Sequence, residues 1–219
     1  MLTASQHRAE LAELARLAGV DLAAVIGGVS DPDVLRAILL DAAPSVVNLY
    51  GSAAAAAAAE WYDDLRSDAG ASGRFRAMPA DLPDEGRYVS LAEWATVPLR
   101  QEAPDAAAAL ERAVVGVGRS VKDASRETIM ASSIADPAAQ GWRRLASAKA
   151  CGFCRMLADR GAVYSSSSVS FGAHDHCSCV ATPAFGGGAE MVRPFAPSTR
   201  NISDADRART RAWMASNGY

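Results

Sequence analysis

Tyr50-Gly-Ser-Ala-Ala-Ala-Ala-Ala-Ala-Ala-Glu60-Trp-Tyr-Asp-Asp-Leu65 decides the fold class. Alanine has the highest helix propensity and adds little core volume, so this stretch predicts a helix lying close against a neighbour. The helix is expected from about Ser45 to Asp68, after an interruption or kink at Pro44. Tyr50, Ala54, Ala57, Trp61 and Leu65 keep helical spacing, a stripe of small side chains ended by one large aromatic. Trp61 is the natural anchor there, for a partner or for the protein's own core.

Upstream, Ser5 to Ala18 places Leu11, Leu14, Ala15 and Ala18 on one helical face. His7 falls in this surface-type helix and is expected to be solvated. Gly27-Gly28 closes a further short stretch, and Asp31-Pro32 reads as an N-cap followed by proline at the first helical position. Val34, Leu35, Ile38 and Leu39 continue the pattern. Downstream, residues 69–87 are rich in Gly, Pro and Arg and read as a loop or exposed linker. Ser90-x-x-Glu93 reads as a capping box opening a short helix with Leu91, Trp94 and Leu99. Asp105 opens another through Leu110, Val114, Val117 and Val121 to about Ile129, weakened by Gly116 and Gly118. Asp136-Pro137 and Gly141 end the pattern and set the boundary of a helical assembly domain, residues 1–140.

Beyond the boundary the period changes. Gly141 to Ser147 and Val180 to Phe185 suit short strands, and Arg155 to Arg160 suits one or two helical turns. Ser165 to Ser168 reads as an exposed polar loop. Residues 141–197 thus form a small α+β unit with too little apolar surface to hold itself, the situation a metal ion stabilises. Residues 198–219 return to a polar, arginine-rich helical tail capped by Ser203 or Asp204. The expected class is mainly α: a helical N-terminal part followed by a small α+β zinc-knuckle domain.

Half of the 219 residues are hydrophobic, but only 6% are aromatic. No run of about 18 strongly apolar residues is visible, and the first residues carry charges early, so neither a membrane span nor a secretory signal is expected. In a reducing cytosol, four clustered cysteines favour metal over disulfides. The net charge of −3 hides an asymmetry: residues 1–140 carry 12 basic and 20 acidic side chains, and residues 141–219 carry 10 basic and 5 acidic. The C-terminal part therefore suits an anionic partner or the acidic part of its own assembly.

One constellation carries chemistry. Cys151-Gly-Phe-Cys154 is followed by His174-Asp-His176-Cys177-Ser-Cys179, which brings all four cysteines and two of the three histidines into 29 residues. A C-x-x-C turn lets two thiolates converge on one ion, with Gly152 permitting the tight backbone, and a second pair completes a tetrahedron around structural Zn2+. Six candidate ligands compete for four places. An extended Cys177–Cys179 puts those two thiols on one face and His174 and His176 on the other, favouring four cysteines. A tight turn instead lets His174 replace one of the last two, with His176 as the alternate, and the unused histidine holds a ligand in place. Four protein ligands leave no position for a water, which speaks for structure over catalysis. The H-x-E…P-C-x-x-C deaminase pattern, H-E-x-x-H, G-x-S-x-G and the phosphate-binding G-x-x-x-x-G-K-[ST] are all absent. No catalytic residue is assigned and the protein is not expected to be an enzyme.

Gly141-Trp-Arg-Arg144, Cys151-Gly-Phe-Cys-Arg-Met-Leu-Ala158, Gly161-Ala-Val-Tyr164 and Ala173-His-Asp-His-Cys-Ser-Cys179 together resemble the C-terminal domain of MuF-like minor capsid proteins. These are phage head-morphogenesis proteins, and the form resembled is that of actinobacterial tailed phages. Asn48-Leu-Tyr-Gly51 and Glu60-Trp-Tyr-Asp-Asp-Leu65 resemble the helical N-terminal part of that form. The family's H-x-x-C-x-C element falls on His174, Cys177 and Cys179, and its upstream C-x-x-C, present in some members, falls on Cys151 and Cys154. The resemblance implies a minor virion component in multiple copies per head. It would be made in the host cytoplasm and bound to the portal or major capsid protein, inside or at the base of the capsid. Contact with packaged DNA would be weak.

The alternative is a zinc-stabilised nucleic-acid-binding module, suggested by the basic C-terminal part and by Trp142 beside Arg143 and Arg144. Against it, no stripe of aromatics is interleaved with the arginines for base stacking. A metal-dependent hydrolase comes third, for want of an acid/base partner.

Overall fold

The computed structural model describes residues 2–83, 85–159, 161, 164–165, 171–186 and 201–219. Its long helices are α1 (Ala4–Val25), α2 (Pro32–Asp68) and α4 (Ala106–Ala135). A short helix α3 (Glu85–Ala95) and a 3-10 turn (Val97–Arg100) bridge α2 and α4. Strand β1 (Ala139–Leu145), helix α5 (Gly152–Asp159), strand β2 (Val180–Phe185) and helix α6 (Asp204–Ser216) follow. The protein is mainly helical, with one small antiparallel sheet. α4 is the hub: it packs against α1, α2, α3 and both strands.

The caps read from the sequence act as caps. Asp31 accepts from the backbone N–H groups of Asp33 and Val34, Asp105 from Ala108, and Ser203 forms a capping box with Asp206. Three other readings need correction. α1 runs unbroken to Val25, well past Ala18, because Leu22 joins Leu11 and Ala18 in the core. α2 runs straight through Pro44. That residue is buried, the missing N–H removes one bond to Leu40, and the Ser45 hydroxyl donates to the Asp41 carbonyl beside it. Ser90 is no cap. It lies inside α3, where its hydroxyl donates to the Gly86 carbonyl one turn back.

The alanine run does pack closely, though its buried stripe is Gly51, Ala54, Ala55, Ala58, Ala59, Trp61 and Tyr62. By length and composition α2 is apolar enough to cross a membrane, but much of its apolar side is the surface that α1 and α4 cover. Glycines in α4 serve the same close approach: a Cβ on Gly116 would sit 3.1 Å from Leu91, so the helix stays regular there while α3 lies against it.

Trp61 is an internal anchor. It is buried, its indole N–H donates to the Leu2 carbonyl, and its ring stacks on His7 with centroids 4.2 Å apart. His7 is therefore not solvated. It is fully enclosed between α1, α2 and α4, with Nε2 3.0 Å from the Ser125 hydroxyl. Burial pushes its pKa down to about 4. Helical periodicity placed His7 correctly on α1, one turn before Leu11; what it missed was the aromatic partner on α2.

The loop after α2 is tied down rather than a free linker. Arg66 donates to the carbonyls of Ala71 and Ser72, Asp63 accepts from the Ala77 N–H, and the Thr128 hydroxyl accepts from Ala80. At the far end of α4, Asp136 takes the Tyr62 hydroxyl at 3.2 Å and the Arg66 guanidinium at 2.7 Å, in a buried position. α2 is thereby fastened where the chain leaves the bundle for β1.

The strands pair as Trp142 with Pro183, Arg143 with Thr182, Arg144 with Ala181 and Leu145 with Val180. β2 begins and ends where the sequence placed it, whereas β1 starts two residues earlier than expected and ends at Leu145. Pro183 lacks an N–H and is tolerated because β2 is an edge strand. On its other side, Trp142 exchanges two backbone hydrogen bonds with Tyr164, at 2.8 and 2.9 Å. Gly141, with φ +133°, makes that approach possible: a Cβ there would collide with the Tyr164 carbonyl. Ser165 is exposed and Ser166 to Ser168 of the expected polar loop lie outside the described residues, as do residues 187–197 of the small unit. Its apolar side chains, Trp142, Phe171, Val180 and Ala181, are continuous with the core of the bundle.

Candidate metal centre

Three segments bring sulfur and nitrogen together. Cys151 precedes α5 and Cys154 sits in its first turn, so the two thiols emerge on one side of a short helix. Cys177 and Cys179 stand just before β2, both buried, with Ser178 exposed between them. The third segment is the turn between them and His174. Cys177 N–H donates to the His174 carbonyl at 3.1 Å, and His176 takes φ +61°, the only non-glycine residue with positive φ among the described residues.

That turn resolves the competition that strand alternation left open. Because the chain reverses at Asp175–His176, His174 swings to the thiol side, and His176 is left exposed and outside the cluster. The ligand atoms form two triads, each within 4.8 Å: Cys151, Cys154 and His174, and Cys154, Cys177 and Cys179. Cys154 belongs to both. The inner three thiols are buried, whereas Cys151 and His174 are exposed.

The separations suit a tetrahedral ion. Bonds of about 2.3 Å to sulfur and 2.0 Å to nitrogen put neighbouring ligand atoms about 3.5–3.8 Å apart. Cys154 Sγ lies 3.7 Å from Cys177 Sγ and 3.4 Å from His174 Nε2, while Cys151 Sγ is 3.0 Å from the same nitrogen. His174 Nδ1 donates to the Asp175 carbonyl at 2.6 Å, which leaves the Nε2 lone pair directed at the sulfurs.

Crowding drives the thiols apart in acidity. The Cys179 thiol donates to Cys177, and with Arg126 nearby Cys177 falls to about 4 against the opposing effect of burial. Cys179 is pushed far up, first by that same hydrogen bond and then by burial. Burial and then the Cys177 thiolate push Cys154 up to about 11. At Cys151 burial pushes upward, but hydrogen bonds from the Cys154 backbone and, when its ring is protonated, from His174 outweigh it and bring the thiol below its ordinary value. The Asp175 carbonyl raises His174. Sulfurs packed this closely cannot all ionise on their own; a divalent cation removes that conflict.

The surroundings are cationic in a way the motif did not announce. Arg126, on α4 and fully buried, donates to the carbonyls of Cys177 and Cys179 at 2.9–3.1 Å and to Asp123 at 2.7 Å. Arg144, on β1, donates to the carbonyls of Phe171 and Gly172 and reaches Cys154 Sγ at 3.8 Å. Both guanidiniums lie over the Phe171 ring, 4.7 and 3.7 Å from its centroid. Among the described residues Arg144 has no carboxylate within ion-pair distance, so its buried charge needs another counter-charge. Three or four thiolates around a divalent cation leave a net charge of about −1 or −2 and supply it. The residues present fit such an ion.

Sequence reading missed Arg126 and Arg144 as members of the site. Strand alternation carried a signal for Arg144, since it places the arginine on the same face as Trp142. Nothing local marks Arg126, which comes from 51 and 53 residues upstream of the carbonyls it holds. Gly152 needs another explanation too. It opens α5 with ordinary helical backbone, and a Cβ there would sit 2.6 Å from the Tyr219 backbone.

A model of the family described as VG15 protein matches residues 2–200, taking in both the bundle and the cysteine–histidine cluster. No curated protein and no solved structure matches the chain.

Proposed function

Because the chain belongs to the VG15 protein family, a viral family, we propose that it is a structural minor capsid protein of a tailed phage. It binds at or near the portal, takes part in head assembly, and holds its C-terminal part in shape with one Zn2+. The observation that carries the reading is the joined pair of triads around Cys154, in the block that resembles the MuF-like domain.

The chemistry of that cluster favours a structural ion. Cys154, Cys177 and Cys179 supply three buried thiols, and either His174 or Cys151 completes four protein ligands, which leaves no coordination place for a reacting water. Arg126 and Arg144 are committed to backbone carbonyls and to the Phe171 ring, so neither is free to act on a substrate. These features support an assembly role without catalysis.

The nucleic-acid alternative loses two of its motivating residues. Trp142 and Arg144 are buried in the sheet, so of the three residues only Arg143 is exposed. DNA contact is therefore weak, sequence-blind and lost at moderate salt. Two measurements test the proposal. Protein purified without added zinc should carry about one zinc per chain by elemental analysis. It should also co-purify with portal or major capsid protein and be found in the virion, at the base of the head. A metal-free chain would remove the zinc centre. DNA binding that survives salt, with no affinity for head proteins, would put the nucleic-acid module first.

A further inference from the structure

α1 and α2 border an open groove of about 970 Å³, lined among others by Ala9, Ala53 and Ala57. Its walls are acidic: Glu10 and Glu13 stand on α1, Glu60 and Asp64 on α2, and no lysine or arginine is among its lining residues. Glu13 is engaged by Arg16 at 2.6 Å, while Glu10, Glu60 and Asp64 are exposed. The groove thus offers small side chains between two rows of carboxylates.

α6 has the complementary face. Ala205, Ala208, Ala212 and Ala215 recur at i, i+3, i+7 and i+10, and Arg209 and Arg211 border that stripe on opposite edges. No residue of α6 is buried, Trp213 is 52% exposed, and the helix packs within its own chain chiefly against α5. Its 13 residues span about 20 Å, close to the roughly 17 Å of α2 between Ala53 and Asp64 along the groove.

We propose that α6 of one copy docks in the α1–α2 groove of a second copy. The alanine faces allow the backbones to approach closely; Arg211 reaches the carboxylates of the α2 wall, and Arg209, ion-paired with Asp206 in its own helix, turns to those of the α1 wall. Groove and helix are different surfaces, so the contact is heterologous. Repeated, it builds a ring if the rotation closes and a filament if it does not. A docked α6 also brings the basic C-terminal part of each chain to the acidic N-terminal part of the next.

Light scattering on the full chain across a concentration series tests this. The wild type should gain mass with concentration, and less so in high salt. Glu60→Arg with Asp64→Arg should weaken association at least tenfold, as should Arg209→Glu with Arg211→Glu. An equimolar mixture of the two reversed proteins should associate again, because each supplies the charge the other lacks. Milder changes keep the test independent of folding: Glu60→Gln and Arg211→Gln should each weaken association, and the double variant should lose less than the two effects multiplied. A wild type that stays monomeric throughout overturns the proposal. So does association unmoved by either reversal, or a mixture of folded reversed proteins that fails to recover it.

Discussion

The bundle and the cysteine-bearing hairpin reach stability by different means, although their cores are continuous. α1, α2 and α4 bring backbones together with alanine and glycine and fill the gaps with a few large side chains, chiefly Trp61, Tyr62 and Leu22. Around Phe171 the interior instead holds three thiols and two guanidiniums. Apolar contact needs no external component and tolerates the loss of one side chain at a finite cost. A core of sulfur and arginine is stable only while its charges are balanced, and the proposed zinc ion would supply that balance. The bundle should therefore respond to mutation in proportion, and the hairpin should respond to metal in an all-or-none way.

Metal removal is the largest expected effect. Structural zinc in small domains contributes about 10–16 kcal/mol of apparent binding energy. Chelation should raise hydrogen exchange sharply in residues 139–145 and 171–185 while most of α1, α2 and α4 stays protected. Equal loss across both regions would break the comparison. The triads sharpen it: Cys154→Ser removes the thiol common to both and should lower zinc content far more than Cys151→Ser, whose place His174 can take.

Next comes Trp61→Ala. It empties the largest site in the bundle and leaves His7 unstacked, and should cost about 3–5 kcal/mol in urea unfolding with zinc content unchanged. A variant that loses zinc as well would show that the two regions fold as one unit.

His7 gives a smaller, pH-dependent effect confined to the bundle. An unfolded histidine titrates near 6.5, whereas burial holds His7 at about 4 in the folded state. Its contribution is full above about pH 6.5, declines as the pH falls and the unfolded chain takes up a proton, and levels off below about pH 4. Between pH 7 and pH 5 the loss is about 2 kcal/mol. Unfolding midpoints of wild type and His7→Gln at the two pH values isolate it from other acid-sensitive groups; identical pH dependence would place His7 in water.

The smallest effect belongs to α6. Ser203→Ala removes a capping box and should cost that helix about 1 kcal/mol, visible as faster exchange in residues 204–210 and as no change in the melting of the bundle.

Much of this was legible because it is local. The Asp31, Asp105 and Ser203 caps, the alanine helix, the limits of β2 and the gathering of cysteines each rest on residues within a few positions of one another. Misreadings arose where a local pattern has two outcomes. Ser-x-x-Glu at position 90 occurs within a helix as readily as at its start, and Pro44 costs a single hydrogen bond that a long, packed helix survives. Alternation put His174 opposite Cys177 and Cys179, and one positive φ at His176 reversed it.

By itself, then, the sequence determined which segments are helical, where the chain changes character after Asp136, and that sulfur and imidazole stand ready for a metal. Propensity, capping and spacing act within a turn or two of chain. Only the tertiary structure decided that His7 is enclosed by Trp61, that Tyr62 and Arg66 meet at Asp136, and that Arg126 holds the cysteine carbonyls from α4. Those contacts join residues 51 to 74 positions apart, and their partners are chosen by the packing of whole helices, which no local period records.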